Sequence, residues 1–215
     1  MKKLYALIVF TLVSFGAIAQ NSAKAKALLD DVYAKATSYD NIYIDFKYTL
    51  NNKAENINQE TRGNVTMQGD KYLLNYLGAT VLYDGKMVHT IVPENEEVTI
   101  EKQDAEDENT VTPSKMLTFY KEGYKYDWDI LQNVKGRKIQ FIKLTPIDSN
   151  SEVVELLLGI DVQTKHIYNL IQIGSNATKT TITVNSFKTN QPIPKSLFTF
   201  DEQKYLDEGY YITRN

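Results

Sequence analysis

The sequence predicts a mainly β protein, with a single strongly curved antiparallel sheet, one helix near the N-terminus and a short helix in mid-chain. Three observations support this prediction. Runs in which apolar and polar side chains alternate recur along the chain, most connections between them are short turns, and helical periodicity occurs in only two places. About ten or eleven such runs share the chain, and a sheet with that many strands should curl or close.

Residues 1–19 have the features of a secretory signal peptide. Lys2 and Lys3 precede an apolar run at residues 4–18, and Ala17 and Ala19 mark a small-residue cleavage site. The run is too short for a stable membrane helix, and no later run approaches about 20 apolar residues, so we expect no stable membrane insertion. We therefore expect cleavage after Ala19, export to the periplasm, and one mature domain at residues 20–215.

The composition is that of a soluble globular protein, with 42% hydrophobic and 24% charged residues. Loss of the signal peptide would change the formal net charge from −3 to about −5, which argues against nucleic acid and anionic membranes as partners. The chain has no Cys, so we expect a fold without disulfides and no lipid attached behind the leader. We also expect no cofactor, no metal and a monomeric state.

The first mature element is predicted to be an amphipathic helix at residues 22–38, with Ser22 as its N-cap. Apolar residues recur there every three or four positions, at Ala25, Leu28, Leu29, Val32, Tyr33 and Ala36. These spacings give the helix one apolar face that must be buried against the sheet.

The next three runs are predicted strands at residues 43–50, 61–67 and 71–77. In the first two, alternation assigns one inward face. In the third, Leu73 and Leu74 in tandem leave the face ambiguous, and we favour the even positions. The inward residues of these strands are Ile44, Phe46, Tyr48, Val65, Met67, Tyr72, Leu74 and Tyr76.

An antiparallel meander is predicted to follow. Asp84-Gly85 separates residues 81–83 from residues 87–92, which is a strong hairpin signal, and a turn at residues 93–96 leads into residues 98–100. The acidic stretch at residues 94–108 lacks the spacing of a calcium loop, so we interpret it as a solvated acidic loop.

A short helix is predicted at residues 113–121, with Thr112 as N-cap, Pro113 as its first residue and Gly123 after its end. It is very apolar for its length and must lie on another element. Its apolar residues are Met116, Leu117, Phe119 and Tyr120.

The rest of the chain is predicted to be strands. The runs lie at residues 124–130, 138–144, 152–160, 167–173 and 178–187, with one more short strand around Phe198 and Phe200 and a tail ending at residues 212–214. Tyr126 and Trp128 are on the apolar face of the first of these runs. Two small helices cannot fill the trough of such a sheet, so we expect a cavity.

Reactive groups are sparse. The two histidines, His89 and His166, each lie in a strand where Tyr or Thr would serve equally, and the sequence contains no nucleophile elbow, phosphate loop, zinc-protease or dinucleotide motif. An enzyme on this scaffold would need an acid or base inside the trough, and the sequence places only tyrosines there, which are poor bases at neutral pH.

A series of short motifs follows along the mature chain: Leu28-Leu29-Asp30-Asp31-Val32-Tyr33, Ile44-Asp45-Phe46, Gly63-Asn64-Val65, Asp70-Lys71-Tyr72, Leu82-Tyr83-Asp84-Gly85-Lys86, Pro93, Glu97-Val98-Thr99-Ile100, Thr112-Pro113, Leu144-Thr145-Pro146, Ile160-Asp161 and Phe198-Thr199-Phe200-Asp201. Each motif is loose, but in this order they resemble the LolA family, whose members are periplasmic carriers that ferry lipoproteins to the outer membrane.

The resemblance implies an unclosed half-barrel of about eleven strands, with helices over its concave face as a lid and lipoprotein acyl chains held between sheet and lid. The implied acyl-chain-binding wall is Ile44, Phe46, Tyr48, Val65, Met67, Tyr72, Leu74, Tyr76, Tyr126 and Trp128, and the implied lid is Leu28, Leu29, Val32, Met116, Leu117, Phe119 and Tyr120. Implied partners are acylated lipoproteins, an inner-membrane lipoprotein-releasing transporter and an outer-membrane acceptor.

The chain departs from the family pattern at one point. Better-known members carry an Arg-Pro that helps to lock the lid, and the corresponding turn here is Gln68-Gly69-Asp70. Three other functions remain open: a half-barrel carrier of a free lipid or another hydrophobic small molecule, an envelope enzyme with a buried acid or base, and a structural secreted domain with a filled core.

Overall fold

A computed structural model of the protein describes residues 2–102 and 112–215, including all their side chains except those of residues 2–19, 114 and 116. Within these residues the chain forms helices α1 (Lys2–Thr37), α2 (Pro113–Met116) and α3 (Glu202–Asp207) and two 3-10 turns, Pro93–Asn95 and Phe119–Lys121. The strands are β1 (Ile42–Asn52), β2 (Ile57–Gln68), β3 (Lys71–Tyr76), β4 (Ala79–Tyr83), β5 (Met87–Val92), β6 (Glu97–Lys102), β7 (Tyr124–Val134), β8 (Arg137–Pro146), β9 (Val153–Asp161), β10 (Ile167–Gly174), β11 (Lys179–Thr189) and β12 (Tyr211–Arg214).

All these strands belong to one unclosed, curved sheet, as predicted, in the order β12-β6-β5-β4-β3-β2-β1-β11-β10-β9-β8-β7. Neighbours in sequence pair as antiparallel hairpins within two arms, β1–β6 and β7–β11. The arms join where β1 pairs with β11, in a register that sets Phe46 opposite Val184 and Tyr48 opposite Ile182. The first predicted strand is therefore the centre of the sheet.

The β4–β5 hairpin forms at the turn that Asp84-Gly85 predicted, because contacts within the turn itself fix its conformation. The Asp84 carboxylate accepts hydrogen bonds from the backbone N–H groups of Lys86 at 2.7 Å and Met87 at 2.9 Å. Gly85 has a φ of 98°, which side chains with a Cβ rarely adopt. The turn residues thus satisfy the backbone groups at the end of the ladder locally, and the hairpin register follows.

Helix α1 packs its apolar face on the concave side of the second arm. Ala25, Leu28, Leu29 and Val32 are buried there. They belong to one hydrophobic cluster with Tyr120, Ile142, Leu144, Leu156, Leu158 and Ile160. Burial of a Leu or Val side chain stabilises the fold by about 1.5–3 kcal/mol, so this contact fixes the helix over the sheet.

A second core lies on the opposite, convex face of β4–β6. Ile91, Val98 and Ile100 are buried there and pack with Met87, Phe200, Tyr205, Tyr210 and Ile212. The ring of Phe200 stacks between His89 at 4.3 Å and Tyr205 at 5.2 Å between centroids. The segment after β11 therefore crosses the outside of the sheet before β12 joins its edge.

Three predictions about elements need correction. No strand forms around Phe198 and Phe200; Phe198 is buried in a turn, and α3 follows with Asp201 as its N-cap, which accepts from the Lys204 N–H at 3.2 Å. Strand β12 pairs parallel to β6, not antiparallel, because the chain reaches this edge from across the convex face. Ser22 is not an N-cap, because α1 is already helical from Lys2.

The mid-chain helix forms where predicted but is broken into two pieces. The Thr112 hydroxyl accepts from the Lys115 N–H at 3.1 Å and caps α2, which is one turn long, and the 3-10 turn Phe119–Lys121 follows. We call residues 113–121 the roof segment. The acidic loop predicted at residues 94–108 lies in part outside the described residues. Among the residues described, no helix is long and apolar enough to cross a membrane.

Candidate functional site

An apolar cavity of about 310 Å³ lies on the concave face, between the sheet and the roof segment. Residues of both arms form its wall, and Pro113, Leu117 and Phe119 lie over it. The full lining is Ile44, Phe46, Tyr48, Val65, Met67, Leu74, Tyr76, Pro113, Leu117, Phe119, Leu158, Ile167, Leu170, Ile182, Val184 and Phe187. The volume is at the lower end of the range for small-molecule sites.

The wall is built by alternation and register together. Ile44 lies opposite Val65, and Val65 opposite Leu74, so one row of inward residues crosses three strands. The row continues across the seam, where Ile44 lies opposite Phe187. Because successive strand residues point to opposite faces, each strand contributes every second residue to the cavity.

Gly63 makes room for an aromatic ring on this wall. A Cβ at Gly63 would lie 2.5 Å from Cζ of Phe46 and 2.7 Å from the carbonyl oxygen of Asn75, both far inside contact distance. The bare backbone therefore lets the Phe46 ring lie against β2. A side chain at this position would push the ring into the cavity.

The polar atoms of the cavity gather at one end. Of the described residues that line it, only Tyr48 and Tyr76 carry a hydroxyl. Their rings meet edge to face with centroids 5.4 Å apart, and both side chains are half-buried, whereas Ile44, Val65 and Met67 deeper along the wall are buried. Burial, together with the neighbouring Tyr48, raises the pKa of Tyr76 to about 12, so its hydroxyl stays protonated at neutral pH.

Seven of the ten predicted wall residues line this cavity, and three do not. Tyr72 is on the inward face but is buried beyond the cavity, against Tyr83 at 5.6 Å between ring centroids. Tyr126 packs on the α1 cluster. Trp128 lies in the same inward row as Ile142 and Leu158, but β7 is the edge strand and the ring is 36% exposed. A residue on the inward face of the sheet therefore does not necessarily line the cavity.

The predicted lid residues are also divided. Leu117 and Phe119 cover the cavity, while Leu28, Leu29, Val32 and Tyr120 are buried in the cluster that fixes α1 to the second arm. The Met116 side chain lies outside the described part of the chain. The roof over the cavity is therefore the roof segment, and α1 is a neighbouring layer.

Sequence reasoning did not single out the half of the wall that comes from the second arm. The residues concerned are Leu158, Ile167, Leu170, Ile182, Val184 and Phe187. Most belong to runs with apolar alternation, but only the pairing of β1 with β11 brings them beside Phe46 and Tyr48. A pairing across about 140 residues leaves no local signal.

Several polar contacts connect α1, the roof segment and the sheet. The ammonium of Lys121 lies 3.8 Å from the centroid of the Tyr33 ring, a cation–π contact with α1. The Tyr126 hydroxyl lies 2.8 Å and 2.9 Å from the carbonyl oxygens of Tyr120 and Lys121. Lys165 pairs with Asp31 at 3.3 Å. These contacts hold the covering elements at positions other than the Gln68-Gly69-Asp70 turn.

His166 lies where the end of α1 approaches the wall of the cavity. Its ring stacks on Phe187 at 4.0 Å between centroids, and its Nε2 lies 2.8 Å from the Tyr39 hydroxyl. Burial lowers the pKa of His166, and the cationic Lys35 and Arg137 lower it further, against an opposing effect of Asp161. The imidazole is therefore neutral at pH 7 and accepts or donates one hydrogen bond to Tyr39.

The lining offers little for catalysis. It contains no carboxylate, imidazole or amine among the described residues, and a tyrosine whose pKa is about 12 is a poor base. The described residues also include no cluster of three or more potential metal ligands. What this arrangement can do is take apolar chains out of water.

A curved, unclosed sheet with an apolar cavity beneath a short covering segment is the architecture of a protein that binds hydrophobic molecules. The model of the family described as "Outer membrane lipoprotein carrier protein LolA" matches residues 37–201. The chain belongs to this family. Comparison with curated proteins gave no match.

Solved structures with the same fold are distant in sequence. An uncharacterized conserved protein from Thermus thermophilus matches with a TM-score of 0.57 and 10% identity, over 89% of this chain and 99% of that one. The lipoprotein LppX from Mycobacterium tuberculosis matches with a TM-score of 0.50 and 12% identity, over 79% and 98%. At such identities the similarity shows the fold alone.

Proposed function

We propose that this protein is an exported carrier that binds the acyl chains of lipoproteins in the apolar cavity and moves them from the inner to the outer membrane. The observation that supports this most is the cavity itself, apolar along both arms and covered by a short, separate segment. Its family adds support. The proposed partners are acylated lipoproteins, an inner-membrane donor and an outer-membrane acceptor, and no catalytic step is involved.

The energetics of acyl burial limit how such a carrier works. Burying one chain of about 16 carbons would contribute roughly 12 kcal/mol at about 0.8 kcal/mol per CH₂. Three chains would exceed the ceiling of about 18–21 kcal/mol for non-covalent affinity. A carrier that must also release its cargo therefore leaves part of the lipid outside, or spends part of the binding energy on displacing its roof.

The proposal is tested by placing a charge in the cavity. Phe46→Asp puts a carboxylate among the apolar wall residues, where an acyl chain would have to desolvate it. We expect this variant to release at least tenfold less lipoprotein from spheroplasts than the unmodified protein. Thr183→Asp, on the outer face of β11 opposite Lys47 across the β1 seam, is the matched control and should release normally.

Because a buried charge can also unfold the protein, circular dichroism must show that Phe46→Asp retains its sheet at the assay temperature. Tyr48→Asp, nearer the open end of the cavity, is the second variant. Release that is undiminished in both folded variants would refute the proposal.

We further propose that residues 1–19 are removed on export. The residues of α1 that pack on the sheet, Ala25 to Val32, all follow Ala19, so cleavage leaves this contact intact. The intact mass of the protein purified from the periplasm checks this, since a chain that begins at Gln20 is expected and a mass that includes Met1 would contradict cleavage.

A second candidate, a carrier for a free lipid or another hydrophobic small molecule, is favoured by the modest volume of the cavity. Native mass spectrometry of the protein purified from the periplasm separates the two candidates. A bound species of several kilodaltons or more identifies a lipoprotein cargo, and one of a few hundred daltons identifies a free lipid.

A further inference from the structure

The concave face of the sheet changes from apolar to polar just past the open end of the cavity. Tyr48 lines the cavity, and the next concave residue along β1 is Leu50. Leu50 lies opposite Thr180 of β11 on one side and opposite Gln59 of β2 on the other. Thr180 in turn lies opposite Gln172 of β10. We call Gln59, Thr180 and Gln172 the polar row.

Register places the polar row on the same face as the cavity. Side chains two residues apart on a strand point to the same side of the sheet. Thr180 is two residues from Ile182, and Gln172 is two residues from Leu170. Ile182 and Leu170 are paired with each other and both line the cavity. The polar row therefore lies about 7 Å past the cavity wall, measured along the strands.

The polar row offers hydrogen-bonding groups that the fold does not use. The side chains of Thr180 and Gln172 are half-buried, that of Gln59 is exposed, and none of the three makes a hydrogen bond to a described residue. Asn52, the next concave residue after Leu50, differs from them. It is 1% exposed, and its side-chain amide donates to the Thr178 hydroxyl at 2.8 Å. The polar groups of Asn52 close the end of the sheet, whereas those of the polar row are available to a ligand.

The described residues between the cavity and the polar row carry no full charge. On β2, β1, β11 and β10 the concave residues are Gly63, Thr61, Gln59, Phe46, Tyr48, Leu50, Val184, Ile182, Thr180, Leu170 and Gln172. Charged residues of the same strands, such as Lys47 and Arg62, pair on the convex face. An ionised group here would lose hydration without gaining a counter-ion, whereas an ester, amide or hydroxyl would find matching donors and acceptors.

We propose that the polar row binds the uncharged ester or amide linkage that joins an acyl chain in the cavity to its head. The Gln172 amide and the Thr180 hydroxyl donate to carbonyl oxygens of the linkage, and both accept from neutral hydroxyl groups of the head. This inference rests on the proposed function, because it requires a chain in the cavity. It narrows the ligand class to chains that are esterified or amidated to an uncharged head, and it makes a free fatty acid a poor ligand.

The test compares ligands that share one tail. Monododecanoylglycerol, dodecanoate and dodecyltrimethylammonium, each below its micelle concentration, displace a fluorescent naphthalene probe from the mature protein. We expect the neutral glycerol ester to bind about tenfold more tightly than either ion, because only the ester gains hydrogen bonds without desolvating a charge.

Loss of the polar groups separates the polar row from the greasiness of the cavity. The double variant Thr180→Val with Gln172→Leu should weaken the glycerol ester about tenfold, at about 1 kcal/mol for each hydrogen bond. It should leave dodecyltrimethylammonium, which cannot form hydrogen bonds, unchanged. Thr181→Val is the matched control, because Thr181 is the next residue of β11, lies opposite Thr49 on the convex face and should affect no ligand.

A gain of affinity provides a second test that misfolding cannot imitate. Gln172→Lys places an ammonium group beside the proposed position of the head. It should strengthen dodecanoate about tenfold and weaken dodecyltrimethylammonium, and high salt should reduce both effects because the side chain is only half-buried. Thr181→Lys puts the same charge on the convex face and should change neither ligand.

The ester could belong to a lipidated protein or to a neutral glyceride. The uncharged amide of N-acetyl-O-dodecanoylserine carries the same ester on a peptide unit and distinguishes these sources. Binding as tight as that of the glycerol ester, with the same loss in the double variant, assigns the linkage to a protein cargo. Binding that is confined to the glycerol ester assigns it to a neutral lipid.

Equal affinity for the three dodecyl ligands, or a Gln172→Lys variant that gains nothing for dodecanoate, would overturn the polar row as a subsite. In that case the proposed function would stand, because the tails would still bind. If none of the ligands displaced the probe, both proposals would fall.

Discussion

His166 is the residue through which a fall in pH should lower the stability of this fold. Its imidazole is half-buried between Phe187 and Tyr39, and its pKa is lowered mainly by this burial. A His whose pKa is lower in the folded than in the unfolded state takes up a proton on unfolding. The stability that it contributes is therefore fully present above the unfolded pKa, about 6.5, and is lost as the pH falls through that value toward the folded pKa.

We predict that the free energy of unfolding decreases between pH 7.5 and pH 5, and that His166→Gln reduces this decrease. Gln keeps a polar group near the Tyr39 hydroxyl but does not titrate. Urea denaturation of both proteins at the two pH values measures the difference. An equal loss of stability in the two proteins would assign the pH dependence to other groups.

At the scale of the element, one tyrosine of the edge strand β7 forms hydrogen bonds to the backbone of the roof segment. The Tyr126 hydroxyl lies within hydrogen-bonding distance of the carbonyl oxygens of Tyr120 and Lys121, and it makes no other hydrogen bond to a described residue. A hydrogen bond of this kind contributes about 1 kcal/mol. This hydrogen bond acts together with the buried Tyr120 ring, which joins the roof segment to the α1 cluster.

We predict that Tyr126→Phe lowers stability by about 1 kcal/mol and speeds hydrogen exchange in the roof segment, with little change in α1. Tyr124→Phe is the matched control, because the Tyr124 ring packs on Phe119 without a hydrogen bond from its hydroxyl to a described residue. Faster exchange in α1 to the same extent as in the roof would show that the two elements move as one lid.

The elements were predictable where their signals are local. Alternation located the strands, Asp84-Gly85 the hairpin, and Thr112-Pro113 the roof segment. Helix α3 was missed although Asp201 is a standard N-cap residue, because the apolar Phe198 and Phe200 suggested a strand. The exposure of Trp128 was not predictable, since it depends on β7 being the edge of the sheet, which is a property of the whole topology.

For the whole molecule, the two faces of the sheet differ in how completely their apolar side chains are covered. The convex core of β4–β6 is filled by the segment that contains α3, whereas the concave face keeps a cavity. Apolar side chains that line an open cavity remain in contact with water, so the concave face gives up part of the burial energy, about 25 cal/mol per Å², that a filled core would supply. The seven predicted wall residues that line the cavity therefore contribute less to stability than packed core residues would, unless a ligand covers them.

We predict that Val184→Phe raises the free energy of unfolding and lowers the affinity of the cavity for apolar ligands. Val184 lies opposite Phe46 on the cavity wall, and a larger ring there fills part of the void. Stability should rise by about 1 kcal/mol, and affinity for dodecanoate should fall at least tenfold. Val154→Phe, on a 53% exposed residue of β9, is the control and should change neither. Unchanged binding in a stabilised Val184→Phe variant would mean that the chain lies elsewhere.

The seam between β1 and β11 also has a consequence for how the protein folds. Each arm is a series of hairpins that can form locally, but the seam joins residues as far apart as Asp45 and Asn185, and closing so long a loop is slow. The floor of the cavity lies on this seam, so the binding site should be the last part of the sheet to assemble. Pulse-labelling hydrogen exchange during refolding should then protect the β8–β9 and β2–β3 ladders before the β1–β11 ladder, and the chain would complete its apolar cavity only when this last ladder forms.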